Sequence, residues 1–228
     1  VTVSAQRRNE NIQTVPVSVT AIDPVEIERR QIVDTKQIVF NVPNLTGNSN
    51  VGQSTATTFF MRGVGTTENL ATADTSVGLY VDDVYIARQA VNNFNLADIE
   101  RIEVLRGPQG TLYGRNTIAG AIKVVTRTPG DEAWANVNLG LGNYSTTRLA
   151  GSVGGPIEDG ALAGSVTALY EQRNDGWQPN PRVGRDFGEY DNKLARAKLR
   201  WYGTENFEAM LTAWVADLTN DGYNGVPY

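Results

Sequence analysis

The sequence has no cysteine and no histidine, and these two absences exclude several kinds of chemistry at once. Without cysteine there is no disulfide framework, thiol nucleophile or thiolate metal ligand. Without histidine there is no imidazole for acid–base catalysis or metal binding. We therefore expect that the protein is not an enzyme and has no cofactor and no resident metal.

Long apolar runs and an excess of basic charge are also missing. No run of eighteen or more apolar residues occurs, so the sequence predicts no transmembrane helix. No basic segment followed by an apolar one opens the chain, and we expect that any signal peptide has been removed. The net charge of −5 argues against nonspecific nucleic-acid binding, which requires a basic surface.

The first half of the chain combines helix and strand signals. Asp23 as N-cap, with Pro24 at the first helical position, predicts a short helix that ends near Arg30. A second short helix is predicted after Asp34 and before Pro43. Strand-like runs lie around these helices, at residues 17–22, 57–62, 77–81, 84–87, 101–105 and 121–126. This half is predicted to be a small α+β domain that ends near residues 128–130.

From Glu132 onward, apolar and polar residues alternate with period two over five segments of roughly ten residues, the length of a tilted strand in a bilayer. The clearest segment places Ala195, Ala197, Leu199 and Trp201 on one face and Arg196, Lys198 and Arg200 on the other. A row of charges opposite an apolar face predicts strands of a transmembrane β-barrel. The alternative is a soluble antiparallel sandwich, whose strands also alternate.

The connections between these segments differ in length. Residues 156–160 and 203–206 form short connections, whereas residues 174–190 form a long one. Membrane barrels pair short periplasmic turns with longer extracellular loops, so this alternation predicts the direction of each strand. Five strands cannot close a barrel, and we expect the intact protein to be longer.

Three motifs in the first half are distinctive: FFMRGVG at residues 59–65, VGLYVDDVYI at 77–86 and DIERIEVLRGPQGTLYGRNTIAGAIKVVTRTP at 98–129. In this order they resemble the plug signature of TonB-dependent outer-membrane receptors. The opening VTVSAQRRNENIQTVPVSVTAI is similar to that family's TonB box running into its plug. The resemblance implies a TonB box and linker at 1–11, a plug at 12–130 and about five barrel strands at 131–228.

Two local patterns allow other interpretations. The glycine-rich stretch at 106–114 looks like a phosphate cradle, but it lacks the GK[ST] ending of a P-loop and favours a tight loop between two strands. Asp82 and Asp83 are either a carboxylate pair for metal or acid–base work, or a hairpin turn. We favour the turn, because strand-like runs flank these two residues.

The resemblance also implies functional residues. The TonB box would comprise Val1, Thr2, Val3, Ser4 and Ala5, which form an extended segment able to add a strand to a partner's sheet. The alternative is an ordinary frayed terminus. Family members latch the plug against the inner barrel wall with charged residues, and the matching positions are Arg62, Glu103 and Arg106. The alternative for these three residues is ordinary surface solvation.

Ligand contacts are predicted where plug strands run outward. The candidates are Thr66, Thr67, Glu68, Asn69, Arg88 and Gln89. The resemblance implies TonB-dependent uptake of a scarce nutrient, most simply a ferric siderophore, across the Gram-negative outer membrane. The expected partners are TonB with its inner-membrane complex, outer-membrane lipid and a small-molecule or metal-chelate ligand. Within the same family, the alternative is uptake of a carbohydrate, cobalamin or haem. Outside it, the alternatives are a soluble β-rich binding module and a hydrolase that uses paired carboxylates.

Overall fold

The computed structural model describes residues 2–8, 10–50, 53–67, 73–158, 160–180, 184–204 and 207–221. The chain divides into two compact units, residues 1–126 and 127–228. Within the described ranges, no helix is both long enough and apolar enough to cross a membrane.

The first unit contains short strands and short helices. In chain order they are β1 (Thr2–Val3), β2 (Glu10–Asn11), β3 (Ser18–Ile22), α1 (Pro24–Arg29), a 3-10 helix (Lys36–Asn41), β4 (Leu45–Asn50), β5 (Gln53–Met61), β6 (Val64–Gly65), β7 (Val77–Val81), β8 (Val84–Tyr85), a 3-10 turn (Gln89–Val91), β9 (Ile99–Arg106), α2 (Gly110–Tyr113) and β10 (Gly120–Thr126). Every strand run predicted for this half is present, within a few residues at each end.

A five-stranded sheet forms the core of the first unit, with the strand order β3-β9-β10-β7-β8. β10 lies at its centre, antiparallel to β9 and parallel to β7. Ile102 and Val104 on β9 share one face with Ile122 on β10, and all three side chains are buried. The other face carries Glu103 directly opposite Lys123, and both of these charged residues are also buried.

Asp82 and Asp83 form the two-residue turn of the β7–β8 hairpin, which confirms the turn interpretation. Their φ angles of 46° and 65° lie in the left-handed region that such turns require. The Asp82 carboxylate accepts bonds from the Thr126 backbone N–H at 2.8 Å and the Thr126 hydroxyl at 2.6 Å. The turn is therefore tied to the end of β10.

The two predicted helices are both present, with one change of type. The Asp23 carboxylate caps α1 by accepting the Glu26 backbone N–H at 2.8 Å. The second helix is a 3-10 helix rather than an α-helix. It is preceded by a reciprocal pair of bonds, in which Asp34 accepts the Gln37 N–H and the Gln37 side chain accepts the Val33 N–H, each at 2.9 Å.

The second unit is an antiparallel sheet of long strands. They are β11 (Trp134–Gly142), β12 (Thr146–Glu158), β13 (Leu162–Arg173), then the small hairpin β14 (Gln178–Asn180) and β15 (Arg185–Phe187), and finally β16 (Tyr190–Thr204) and β17 (Phe207–Asn220). The five long strands pair in the order β11-β12-β13-β16-β17. The hairpin lies within the long connection, where the sequence analysis predicted no strands.

The two faces of this sheet have the reverse of the exposure found in a soluble protein. On β13, Val166 is 55% exposed whereas its neighbour Thr167 is 2% exposed. On β16, Leu199 is 39% exposed whereas Lys198 is 6% exposed. Soluble proteins bury apolar side chains and leave lysine in water, so this pattern argues against the soluble sandwich. It is the pattern of a sheet whose apolar face meets lipid.

Candidate functional site

The N-terminal strap, defined here as residues 2–5, lies on the charged face of the five-stranded sheet. β1 pairs antiparallel with β2, with Thr2 opposite Asn11 and Val3 opposite Glu10. Val3 and Ala5 are fully buried in an apolar cluster. The other members of that cluster are Tyr80, Leu105, Tyr113 and Ala121. Residues 2–5 of the predicted TonB box are therefore packed against the first unit, which argues against the alternative of a frayed terminus for these four residues.

Three charged side chains converge on Ser4, and we call Arg101, Glu103 and Lys123 the Ser4 cradle. Glu103 Oε1 accepts the Ser4 backbone N–H at 2.8 Å and the Ser4 hydroxyl at 3.1 Å. Lys123 Nζ lies 2.8 Å from Ser4 Oγ and donates to the Ser4 carbonyl at 3.2 Å. Arg101 Nη2 lies 3.2 Å from the same hydroxyl.

The strand geometry explains why these side chains meet. Arg101 and Glu103 are two residues apart on β9 and so share a face, and Lys123 lies directly opposite Glu103 on β10. Arg101 Nε also pairs with Glu103 Oε1 at 2.7 Å. The sequence signal was a charge in the middle of an apolar run on each strand. The sequence analysis used only Glu103 and missed Arg101 and Lys123.

Buried charges need hydrogen-bond or ion-pair partners, and the two buried charges of the cradle, Glu103 and Lys123, have nearly all of theirs. Glu103 has no exposed surface, and Lys123 has 1%. Lys123 completes its bonds with an ion pair to Asp83 at 3.0 Å. Among the described residues, no group bonds the second carboxylate oxygen of Glu103, which is buried. An orphaned buried acceptor costs about 1–3 kcal/mol, so the strap is held in a site that is not fully satisfied.

Tyr113 holds the next residue of the strap. Its hydroxyl donates to the Ala5 carbonyl at 2.8 Å and lies 3.4 Å from the Ser4 carbonyl. Burial raises the pKa of the Tyr113 hydroxyl above its ordinary value, and the carboxylates of Glu103 and Asp83 raise this pKa further. Tyr113 therefore stays protonated at physiological pH and remains a donor to the strap.

The predicted latch residues have different surroundings within the first unit. Arg62 is exposed and has a φ of 52°. Arg106 is partly exposed, and its Nε donates to the Ser18 hydroxyl at 3.1 Å. Glu103 bonds the strap, as described above. The latch against a barrel wall stays a prediction for all three residues.

The ligand candidates are described in part. Thr66 donates from its hydroxyl to the Asp74 carbonyl at 3.1 Å, while Thr67 and Arg88 are exposed. Gln89 is 8% exposed, and within the described ranges neither of its side-chain polar atoms has a hydrogen-bond partner. Val1 of the TonB box and two of the ligand candidates, Glu68 and Asn69, lie outside the described residues.

Comparison with known proteins gives the family. Residues 11–121 match the model of the TonB-dependent Receptor Plug Domain. The pesticin receptor of Yersinia pestis is 33% identical over 186 residues, which cover 81% of this chain and 27% of the relative. The vitamin B12 transporter BtuB of Vibrio vulnificus is 28% identical, and the match covers 100% of this chain and 37% of the relative.

Solved structures agree with these matches. The ferric yersiniabactin uptake receptor FyuA of Yersinia pestis superimposes with a TM-score of 0.79 at 30% identity, covering 88% of this chain and 31% of that one. The ferripyoverdine receptor of the outer membrane of Pseudomonas aeruginosa gives the same TM-score of 0.79 at 18% identity, covering 96% of this chain and 27% of that one. At this lower identity the likeness shows the fold alone.

A plug sheet followed by antiparallel strands with an apolar exposed face defines the fold of an outer-membrane receptor. The chain belongs to the TonB-dependent receptors, as its motifs predicted. It spans between 27% and 37% of the length of the relatives named above.

Proposed function

We propose that the protein takes up a scarce nutrient across the Gram-negative outer membrane, driven by TonB, and that the nutrient is a ferric siderophore. The observation that carries this proposal is the 30% identity, at a TM-score of 0.79, to a ferric yersiniabactin uptake receptor. The named relatives are receptors and transporters, which fits a protein without catalytic activity.

The N-terminal strap is proposed as the handle through which TonB acts. Strand addition to a partner's sheet requires a short extended segment with free backbone groups. Residues 2 and 3 are already extended, and their pairing with β2 covers only two residues. The partner would replace this short ladder with its own strand and would pull the strap away from the Ser4 cradle.

Cobalamin uptake is the second candidate. It is favoured by the vitamin B12 transporter BtuB, which matches this chain along its whole length at 28% identity. The two candidates are separated by measuring binding of radiolabelled cobalamin and of a panel of ferric siderophores to the full-length receptor in detergent. Saturable binding of a ferric siderophore without binding of cobalamin supports the first, and the reverse result supports the second.

Removal of residues 1–5 is expected to abolish energised uptake and to leave ligand affinity within about tenfold of the wild-type value. The reason is that the strap contacts the plug and, by this proposal, TonB, but not the ligand. Uptake is measured in cells that lack other receptors for the same nutrient, and affinity is measured on purified protein.

The matched control replaces Gln13 and Thr14, which lie outside the strap in the turn after β2, with alanine. Uptake by this variant should remain close to wild type. Energised uptake by the truncated receptor at the wild-type rate would show that the strap is not the handle.

A further inference from the structure

We propose that Tyr85, Tyr80 and Tyr113 form a column that couples Asn116, at one end, to the N-terminal strap at the other. The three tyrosines act as positioning residues for the strap, because each one contacts the next and Tyr113 donates a hydrogen bond to the strap. The inference rests on the proposed function in two respects: Thr66 lies on the ligand side, and the strap is the TonB handle.

The first step of the column is Asn116. Its φ of 65° is a left-handed conformation, which asparagine adopts more readily than most residues. The side-chain nitrogen donates to the Tyr85 hydroxyl at 2.9 Å and to the Asp74 carboxylate at 3.1 Å. The Asp74 carbonyl in turn accepts the hydroxyl of Thr66, a ligand candidate. Asn116 therefore joins the predicted ligand side to the β7–β8 hairpin.

The second step lies inside that hairpin. Tyr80 and Tyr85 are direct cross-strand partners, and their ring centroids are 5.4 Å apart at an angle of 42°. Aromatic pairs at this spacing attract each other beyond the area they bury. Tyr80 is 2% exposed, so its ring has little room to move independently of its neighbours.

The third step joins the hairpin to the strap through Tyr113. The Tyr80 hydroxyl donates to the Tyr113 carbonyl at 2.7 Å, and the two rings meet edge to face at 5.2 Å. The Tyr113 hydroxyl then donates to the Ala5 carbonyl. A shift of Tyr80 is therefore transmitted to the residue that holds the strap.

A coupling path requires an element with two arrangements, and the strap has the features of one. It is held by a two-residue ladder and by side-chain bonds, and the second carboxylate oxygen of Glu103 has no partner in the part of the chain that the structure describes. Its docked and released states are expected to differ by less free energy than the folded and unfolded sheet. A small shift of the tyrosine side chains is then enough to change the fraction of molecules in which the strap is released.

The test is a double-mutant cycle on the full-length receptor in detergent micelles, read by hydrogen exchange of the peptide that contains residues 2–8. Asn116→Gly removes both side-chain bonds while glycine accepts the left-handed backbone. Tyr80→Phe removes only the bond to the Tyr113 carbonyl and keeps the ring. We expect Asn116→Gly to speed strap exchange about three- to tenfold in the wild-type background and to have no further effect when Phe replaces Tyr80.

Three results would overturn the column. The first is an equal effect of Asn116→Gly on strap exchange in both backgrounds, and the second is no effect in either. The third is an equal acceleration of exchange in residues 120–126, because that would mean general loosening of the sheet. Tyr144→Phe, at a half-exposed tyrosine of the second unit, is the matched control and should leave strap exchange unchanged.

The proposed function is tested separately on the same samples, by binding of the purified periplasmic domain of TonB with and without residues 1–5. If TonB binding does not depend on these residues while the cycle behaves as expected, the handle assignment fails and the column stands. If TonB binding depends on them and the cycle shows no coupling, the column fails alone.

Discussion

Replacing Lys123 with Met is expected to destabilise the plug by about 1–3 kcal/mol, because it removes the donor to Ser4 and the positive charge directly opposite the buried Glu103. The substitution keeps most of the side-chain volume but removes three contacts, to Ser4 Oγ, the Ser4 carbonyl and Asp83. Glu103 would stay fully buried with less compensation for its charge. The measurement is hydrogen exchange of residues 99–106 and 120–126 in the full-length receptor.

A second substitution separates loss of charge pairing from loss of packing. Lys123→Met combined with Glu103→Leu removes these two charges, and it should cost clearly less than Lys123→Met alone, because the charge that remains, Arg101, keeps its ion pair with Glu100. Lys36→Met, at a half-exposed lysine, serves as the control and should change stability by less than about 0.5 kcal/mol. If the double variant cost as much as the sum of the two single ones, the Ser4 cradle would not act as a unit.

Placing arginine at Leu199 is expected to cost roughly 2–4 kcal/mol of folding free energy in a bilayer, since Leu199 lies on the exposed apolar face of β16. The neighbouring Arg200 faces the other way and pairs with Glu208 through two bonds of 2.8 and 2.9 Å. That pair is partly exposed, and such pairs contribute about 0–1 kcal/mol. Arg200→Gln should therefore cost far less than Leu199→Arg.

Folding titrations of the full-length receptor into bilayers of different thickness measure both changes. The cost of Leu199→Arg should vary with thickness, because its depth in the hydrocarbon changes, and the cost of Arg200→Gln should not. Equal costs, or a cost at Leu199 that is the same in every lipid, would contradict the assignment of the apolar face to the membrane.

The long strands could be predicted because their pattern is local. Val166 and Thr167 are neighbours that face opposite sides, and period-two alternation reveals this without any tertiary information. The same holds for the Asp82–Asp83 turn, where two residues that tolerate a left-handed backbone separate two strand-like runs. These features depend on residues close together in the sequence.

The strap and its cradle could not be predicted in the same way, because their contacts are distant in the chain. Ser4 bonds Glu103 and Lys123, which are 99 and 119 residues away. Nothing in the first five residues indicates where they will dock. The one-turn helix α2 was also missed, since the glycine and proline signals before it favour a loop. It matters because Tyr113, the last residue of α2, holds the strap.

The position of β3 at the edge of the five-stranded sheet sets how far the strap can move from the sheet once it is released. Residues 2–17 precede β3, and fully extended they would span roughly 50–60 Å at about 3.3–3.6 Å per residue. This length becomes available after the β1–β2 ladder and the Ser4 contacts break, before any pair in the five-stranded sheet is lost. If TonB acts as proposed, it could therefore bind the released segment while the plug is still folded. The pulling force would reach the five residue pairs between β3 and β9 only after residues 2–17 are fully extended.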